Sequence, residues 1–407
     1  MVELVIHEGL KHLWQQCLVG SSPTPGTMNF RRALRRLKRA LAYHEPLITV
    51  SLSRENLLHN LHAYQAAYPE QLLAPVLKSN AYGHDLRLVA EVLDRENLAF
   101  FAADSLYEAR ILRKSGVRSR ILVIGYVRPE YIADSAIRRT DYAITDIEQL
   151  RELARLAHRS VRVHLKLDTG MHRNGILPTD LDEAIRLLQS NPHLQVAGVC
   201  SHLADADNAD ESFSRKQVSV WNDSLGRLEA AFPSIEYRHL TATKGMRFAA
   251  SARANVLRVG MGLFGYDTSP SPAIDLLPVL EMRSVITSIR EVPQGSSVGY
   301  NAAYTAMRPS RIATVPAGYY EGVERRLSNV GSFIVRDMPC PIAGRVSMNM
   351  TSIDVTDAPA AERGDTATVI SRDPAAPNSV IGMARLADTT PYVILAHIPQ
   401  HLRRVME

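Results

Sequence analysis

Cysteine is scarce in this chain. Its 407 residues contain three, Cys17, Cys200 and Cys340. They are odd in number, far apart and in no metal-ligand spacing, which argues against a disulfide framework and against a zinc site. A reducing compartment, the cytoplasm, is the expectation. No stretch approaches the roughly 20 apolar residues of a transmembrane segment. The N-terminus has Glu3 and Glu8 among its first charges and no apolar core ahead of a small-residue cleavage site, so it lacks the pattern of a secretory signal. Charge of one sign is limited too. A formal net charge of +5 does not by itself call for nucleic acid, and an anionic cofactor or substrate suits it equally well. No Gly-rich nucleotide fingerprint follows the first strand pattern, and no metal cluster stands out.

What is present is a large globular chain. Apolar residues at 46% and charged residues at 22% have the balance of a packed protein, and the length allows one barrel plus a smaller partner. Residues 1–46 form a basic N-terminal extension. The run Arg31-Arg32-Ala33-Leu34-Arg35-Arg36-Leu37-Lys38-Arg39 predicts a basic helix with Leu34 and Leu37 on one side. It reads as a solvated extension, with a membrane-surface or nucleic-acid role as the alternative.

From residue 47 short apolar runs alternate with helical patterns. Leu47–Leu52 leads into a helix starting near Arg54. Eight further strand candidates follow: Leu73–Leu77, Ala99–Ala103, Ile121–Gly125, Tyr142–Thr145, Val161–Leu167, Val196–Ser201, Tyr237–Thr241 and Val256–Val259. Helical patterns such as Leu106–Lys114 and Leu181–Gln189 lie between them. Eight βα units predict an α/β fold, a (β/α)8 TIM-like barrel over residues 47–278. After that the runs Met282–Ile289, Arg311–Val315, Ser332–Val335 and Thr366–Ile370 sit between Gly/Pro turns with little helix, so residues 279–407 predict a mostly β C-terminal domain.

Reactive residues of such a barrel sit at the C-terminal ends of its strands. The first of these ends in Leu77-Lys78-Ser79-Asn80-Ala81-Tyr82-Gly83-His84. A lysine closing an apolar run is either paired at the rim or used covalently, because burial favours the free amine that attacks an aldehyde. The fifth gives Leu165-Lys166-Leu167-Asp168-Thr169-Gly170-Met171-His172-Arg173-Asn174-Gly175, where Arg173 either forks onto a carboxylate or phenolate or pairs with Asp168. The eighth gives Arg258-Val259-Gly260-Met261-Gly262, whose glycines let backbone amides approach a phosphate.

These segments, in this order, resemble the alanine racemase family of pyridoxal 5′-phosphate (PLP) enzymes, fold type III, over roughly residues 47–405. The resemblance implies that Lys78 carries PLP as a Schiff base and that Tyr82 contacts its phosphate. It implies that Arg173 binds the PLP phenolic oxygen and the substrate carboxylate, and that Lys166 matches a lysine carbamylated in some members. His202, in Cys200-Ser201-His202-Leu203-Ala204-Asp205-Ala206-Asp207, would pack on the pyridine ring, and Asp207 would line the access path. In His239-Leu240-Thr241-Ala242-Thr243 the family usually has Ala-Asn-Ser, so Thr243 keeps the phosphate hydroxyl while Ala242 loses an amide. Arg258 would face the pyridine nitrogen. Gly260 and Met261 would give amides to the phosphate, and Tyr392, in Thr390-Pro391-Tyr392, a further hydroxyl.

The C-terminal segment is similar as well. Pro293-Gln294-Gly295-Ser296-Ser297-Val298-Gly299-Tyr300 resembles the segment carrying the opposite-face base. The resemblance implies that Tyr300 reaches the other subunit's site, so a homodimer is required. A tyrosine hydroxyl ordinarily titrates near ~10, so such a base needs nearby cations. Pro316–Gly322 and Arg325 resemble the access-path segment, with Tyr319, Arg325 and Arg345 as its residues. Gly344–Met350 resembles the substrate-binding stretch, with Met348 at the substrate and Asn349 where Asp is usual. Tyr320-Glu321 stands where Ala-Asp is common. The implied activity is two-base racemisation of alanine. Lys78 would serve the D-isomer and Tyr300 the L-isomer. The departures at 321 and 349, with Asn174 and Thr390, keep a serine or broad-spectrum (lysine/arginine-type) racemase as the alternative. A PLP-dependent decarboxylase and a non-catalytic PLP carrier come after it.

Overall fold

The structure, a computed structural model, describes residues 45–267 and 274–407. The basic segment 31–39 lies outside the described residues. Strand β1 (Thr49–Leu52) runs to Ser53, whose hydroxyl accepts from Asn56 N at 3.1 Å and so caps α1 (Arg54–Ala67). Eight strands follow: β2 (Leu72–Pro75), β3 (Phe101–Ala103), β4 (Ile121–Val123), β5 (Thr140–Ile144), β6 (Val161–Lys166), β7 (Leu194–Cys200), β8 (Tyr237–His239) and β9 (Val256–Val259). Neighbours from β3 to β8 pair in parallel, and β2 pairs in parallel with β9, Leu72 opposite Val256. Bridges Val76–Ala102 and Ala242–Arg258 join β2 to β3 and β8 to β9, which closes the ring. This is the barrel that the alternation of elements predicts. Every residue of β3, β4 and β5 is buried, as strands covered on both faces must be.

Helices α2 (Leu86–Leu93), α3 (Leu106–Lys114), α4 (Pro129–Ala133), α5 (Ile147–Leu156), α6 (Leu181–Ser190) and α7 (Ser212–Ala231) cover the outside. Each presents one apolar stripe, in α6 Leu181, Ala184 and Leu188, to the strands. Trp221 of α7 is wholly buried, and its indole N–H finds Ala252 O at 2.8 Å. After β8 and β9 come only short 3-10 turns, Thr243–Phe248 and Met261–Phe264. Helix α1 packs there instead, Asn60 Nδ2 donating to Leu263 O at 3.0 Å.

The C-terminal strands are β10 (Leu280–Val285), β11 (Ser288–Val292), β12 (Ser297–Val298), β13 (Tyr304–Thr305), β14 (Ser310–Val315), β15 (Ser332–Val335), β16 (Met338–Pro341), β17 (Thr351–Asp354), β18 (Thr366–Ile370) and β19 (Arg403–Met406). They form a six-stranded sheet in the order β16-β15-β18-β10-β1-β19, a three-stranded sheet β11-β14-β17 and the hairpin β12-β13.

Three expectations need correction. The run Leu47–Leu52 was expected with the barrel, but β1 pairs antiparallel with β10 and parallel with β19, so the chain starts in the β region before entering the barrel. A short apolar run carries no mark of which sheet it joins. Met282–Ile289 is not one strand. The chain turns a corner at Ile286-Thr287, where their amides bond Asp365 O, just before β18, and Thr314 O of β14 in the other sheet. And the β region does hold helices, α8 (Val380–Leu386), capped by Ser379, and α9 (Pro391–Ala396), which opens with proline in its first turn.

Candidate active site

Lys78 does not close a strand as expected. Strand β2 stops at Pro75, and Lys78 opens a single turn, Lys78–Tyr82, wound left-handed: φ is between +52° and +56° at Ser79, Asn80, Ala81 and Tyr82. For residues with a Cβ that hand costs about 1–2 kcal/mol each, so the surroundings must over-determine it. Asn80 N donates to Glu108 Oε1 (3.2 Å), Asn80 Oδ1 accepts from Leu86 N (3.0 Å), and Asp85 Oδ1 caps α2 through Arg87 N and Leu88 N. His84 is fully buried, stacks on Phe264 at 4.0 Å, and places Nδ1 3.0 Å from Tyr82 O. Burial pushes its pKa down to about 3, so it sits there neutral.

Gly83 ends the turn at φ +82°, and a Cβ there would meet Leu395 O of α9 at 2.1 Å. Gly83→Ala is therefore expected to destabilise the protein by on the order of 3 kcal/mol. Urea unfolding measures it, and an unchanged midpoint would show that α9 does not brace the turn.

The turn borders a cavity of about 550 Å³ at the C-terminal ends of the barrel strands. Lys78, Tyr82, Arg173, His202, Asp207, Thr243, Arg258, Gly260, Met261 and Tyr392 all line it, as does Lys166. Five cations, Lys78, Lys166, Arg173, Lys244 and Arg258, face two carboxylates, Asp104 and Asp207, and Lys244 is ion-paired with Asp207. Such a lining attracts anions.

Individual groups are held ready. Arg173 forms no hydrogen bond or ion pair with a described residue. Asp168 instead accepts from Gly170 N and His172 N, which fixes the loop beneath it. Lys166 Nζ donates to Asn174 Oδ1 (2.5 Å), and burial lowers its pKa, assisted by Arg173, Arg258 and Lys78. Burial, with Arg258 and the other cations nearby, pushes His202 down to about 3, so its ring is neutral. Arg258 is buried. Nη2 donates to Ser201 O (2.7 Å) and Leu240 O (2.9 Å), Nη1 to His239, and Nε has no partner among the described residues. Thr243 Oγ1 accepts from Gly260 N (3.1 Å). A Cβ on Gly260 would lie 2.9 Å from Tyr82 Oη, so glycine is what lets that hydroxyl close on the strand end. Tyr82 and Tyr392 pack ring to ring at 6.0 Å, and burial raises the pKa of both.

Apart from Tyr392, the expected residues of the β region are not in this cavity. Tyr300 stands at the tip of the β12–β13 hairpin, 68% exposed. Tyr319, Arg325, Arg345 and Met348 are exposed as well. The backbone draws them onto one face: Tyr319 N bonds Ser347 O (3.0 Å), Tyr320 N bonds Met348 O (2.9 Å), and a Cβ on Gly299 would lie 3.6 Å from Arg345 N. Within a single chain, five of the expected site residues are therefore exposed and outside the cavity that Lys78 lines.

The unusual pair at 321 and 349 is internally matched. Glu321 is buried, its Oε2 accepts from Gly318 N (2.9 Å), and its Oε1 accepts from Asn349 Nδ2 (2.7 Å). An aspartate at 349 would set carboxylate against carboxylate. Asn349→Asp is expected to cost on the order of 1–2 kcal/mol, and adding Glu321→Gln should restore it, since the amide introduced at 321 can donate to the new carboxylate. Thermal unfolding of the single and double variants checks this. Sequence reasoning also passed over Lys244, Glu108 and the buried Asp141, His164 and His239. Only His239 lay in a motif singled out beforehand, and a polar residue inside an apolar strand was the one signal available for His164.

A lysine on an over-determined turn, facing a cation-rich cavity at the mouth of a parallel barrel, defines a lysine-centred barrel enzyme joined to a β region. The alanine racemase N-terminal domain matches residues 52–268, and the alanine racemase C-terminal domain residues 279–406. An alanine racemase of Sorangium cellulosum is 37% identical over 71% of this chain and 78% of its own length. One of Syntrophobacter fumaroxidans is 34% identical over 86% and 94%. The solved alanine racemase of Streptomyces lavendulae superposes with a TM-score of 0.82 at 28% identity, covering 90% of this chain and 98% of that one. The chain belongs to the alanine racemase family.

Proposed function

We propose that the chain is a PLP-dependent isomerase that interconverts L- and D-alanine, with each site completed by a second copy. The observation that carries this is Lys78 on its left-handed turn, facing a cavity whose uncommitted donors suit a phosphorylated pyridine aldehyde. The hydroxyls of Tyr82 and Tyr392 make no hydrogen bond to a described residue, Met261 lines the same cavity, and the Gly260 amide beside it is shared with Thr243 Oγ1. Arg258 Nε and the Arg173 guanidinium are further donors with no partner among the described residues. When bound, PLP withdraws electrons from the α-carbon and stabilises negative charge there.

The chain's own groups supply the rest. Lys78 Nζ would hold the cofactor and then move a proton on one face of the α-carbon, the one presented by the D-isomer. Tyr300 of the partner subunit would move it on the other face, for the L-isomer. Arg173 would fork onto the substrate carboxylate, and Met348 of the partner subunit would border the substrate. Arg258, a cation, would disfavour a proton on a ring nitrogen placed against it, and so would limit how far the cofactor takes up charge. Neutral His202 packs without adding a charge. The homodimer reading is supported by the grouping of Tyr300, Tyr319, Arg325, Arg345 and Met348 on one exposed face.

Chiral chromatography of alanine, serine, lysine and arginine after incubation with PLP-loaded protein tests the activity. Alanine is expected to give the highest kcat/KM. A higher value for serine or a basic amino acid would move the chain to that specificity, and carbon dioxide release would make it a decarboxylase. Cys340 is buried in β16 and does not line the cavity, which speaks against the latter. Among the described residues no helix is long and apolar enough to cross a membrane.

A further inference from the structure

Arg258 is a buried cation with no carboxylate in contact among the described residues. Its Nη1 lies 2.8 Å from His239 Nδ1. His239 Nε2 lies 2.8 Å from His164 Nδ1, and His164 Nε2 lies 3.2 Å from Asp141 Oδ2. Asp141, His164 and His239 are each fully buried. Asp141 in turn accepts from Arg120 Nη1 (2.8 Å) and Arg162 Nε (3.3 Å), and Arg162 reaches Glu236, which is half exposed. A hydrogen-bonded column thus runs from the partly exposed Arg120, just before β4, and Arg162, in β6, through the barrel to the cavity.

Its polarity has one solution. A guanidinium only donates and a carboxylate only accepts. Two neutral imidazoles between them must both carry the proton on Nε2 and accept on Nδ1. Burial pushes the pKa of both histidines down, which keeps them neutral. The barrel is shaped around the column. Phe100 stands edge-on to His164 (5.5 Å) and near His239 (5.3 Å), and Tyr237 stacks on His164 at 5.5 Å. A Cβ on Gly198 of β7 would meet His164 Nδ1 at 2.6 Å, and the β6–β7 register shifts at Val163/His164 to make this room.

We infer that Asp141, His164 and His239 are positioning residues for the reaction: their column holds the Arg258 guanidinium with Nε–H turned to the cavity. This rests on the reading that Arg258 faces the ring nitrogen of bound PLP. Without Asp141 the His164 Nε2–H is buried and unsatisfied. Taking the other tautomer would set its Nδ1–H against the His239 Nε2–H. The conflict can pass only upward, to an arginine that cannot accept.

Histidine-15N NMR of the PLP-loaded protein tests the polarity, with ring signals assigned by His164→Gln and His239→Gln. Both rings are expected as Nε2–H tautomers. In Asp141→Ala, and in Gly198→Ala, which keeps every group of the column but displaces His164, the absorption band of the lysine-bound cofactor should shift. In both, kcat should fall about tenfold while KM changes less than about twofold. A wild-type protein that never acquires that band overturns the PLP reading itself. A wild-type protein with the band but with the His239 proton on Nδ1 overturns the column, as do variants with unchanged band and kcat. If Asp141→Ala does not fold, the wild-type tautomers and Gly198→Ala decide.

Discussion

Lys78→Ala is expected to lose racemisation by at least about 10³-fold and to lose an absorption band near ~420 nm that borohydride bleaches in the parent protein. The two losses belong together, because one amine would both hold the cofactor and move the proton. Lys78 makes no hydrogen bond or ion pair with another described residue, so the variant should fold as the parent does. The turn it opens is held from the far side by Asn80, His84, Asp85 and Glu108. A variant that keeps the band would remove the lysine from its role. One that loses the band yet racemises would remove the cofactor from the reaction.

Tyr300→Phe should keep the band and still lose activity by about 10²–10⁴-fold. Because the two enantiomers are equal in free energy, kcat/KM must fall by the same factor in both directions, and net rates cannot tell the faces apart. Exchange of the α-proton with deuterated solvent can. D-alanine should still exchange through Lys78, whereas L-alanine should not. Equal loss of exchange from both isomers contradicts the assignment of faces. Tyr300 is exposed in a single chain, so stability should not change. If each site takes its tyrosine from the partner, mixing Lys78→Ala with Tyr300→Phe subunits should recover about a quarter of the parent activity, since half of the dimers are mixed and each carries one intact site. No recovery after verified subunit exchange would place both bases in one chain.

Much of this was legible beforehand, and for a physical reason. Parallel barrel strands are buried on both faces, so they read as short apolar runs, and the helices between them show their apolar stripe. The candidate site segments lie at or just beyond strand ends and read as motifs because each needs several neighbouring residues at once. Lys78, Asn80, Gly83, His84 and Asp85 make one turn only in that order. What was not legible depends on contacts between residues far apart in the chain. The sheet joined by Thr49–Leu52 is chosen by β10 and β19, more than 200 residues later. The Glu321–Asn349 pair looked like two independent departures until one hydrogen bond joined them.

Local chemistry by itself therefore marked Lys78, Arg173 and the backbone amides beside Gly260 as groups able to meet an anionic aldehyde cofactor, and the family resemblance added Arg258 and the hydroxyls of Tyr82 and Tyr392. Only the tertiary structure decided their arrangement. The left-handed turn exists because Glu108, Phe264 and Leu395 surround it. The direction of every hydrogen bond from Asp141 to Arg258 follows from a carboxylate and a guanidinium brought to the two ends of one column. The placing of Tyr300, outside its own chain's cavity, is set by a hairpin in a different part of the molecule. Side-chain chemistry is a local property, whereas position and polarity are fixed by what the fold brings alongside.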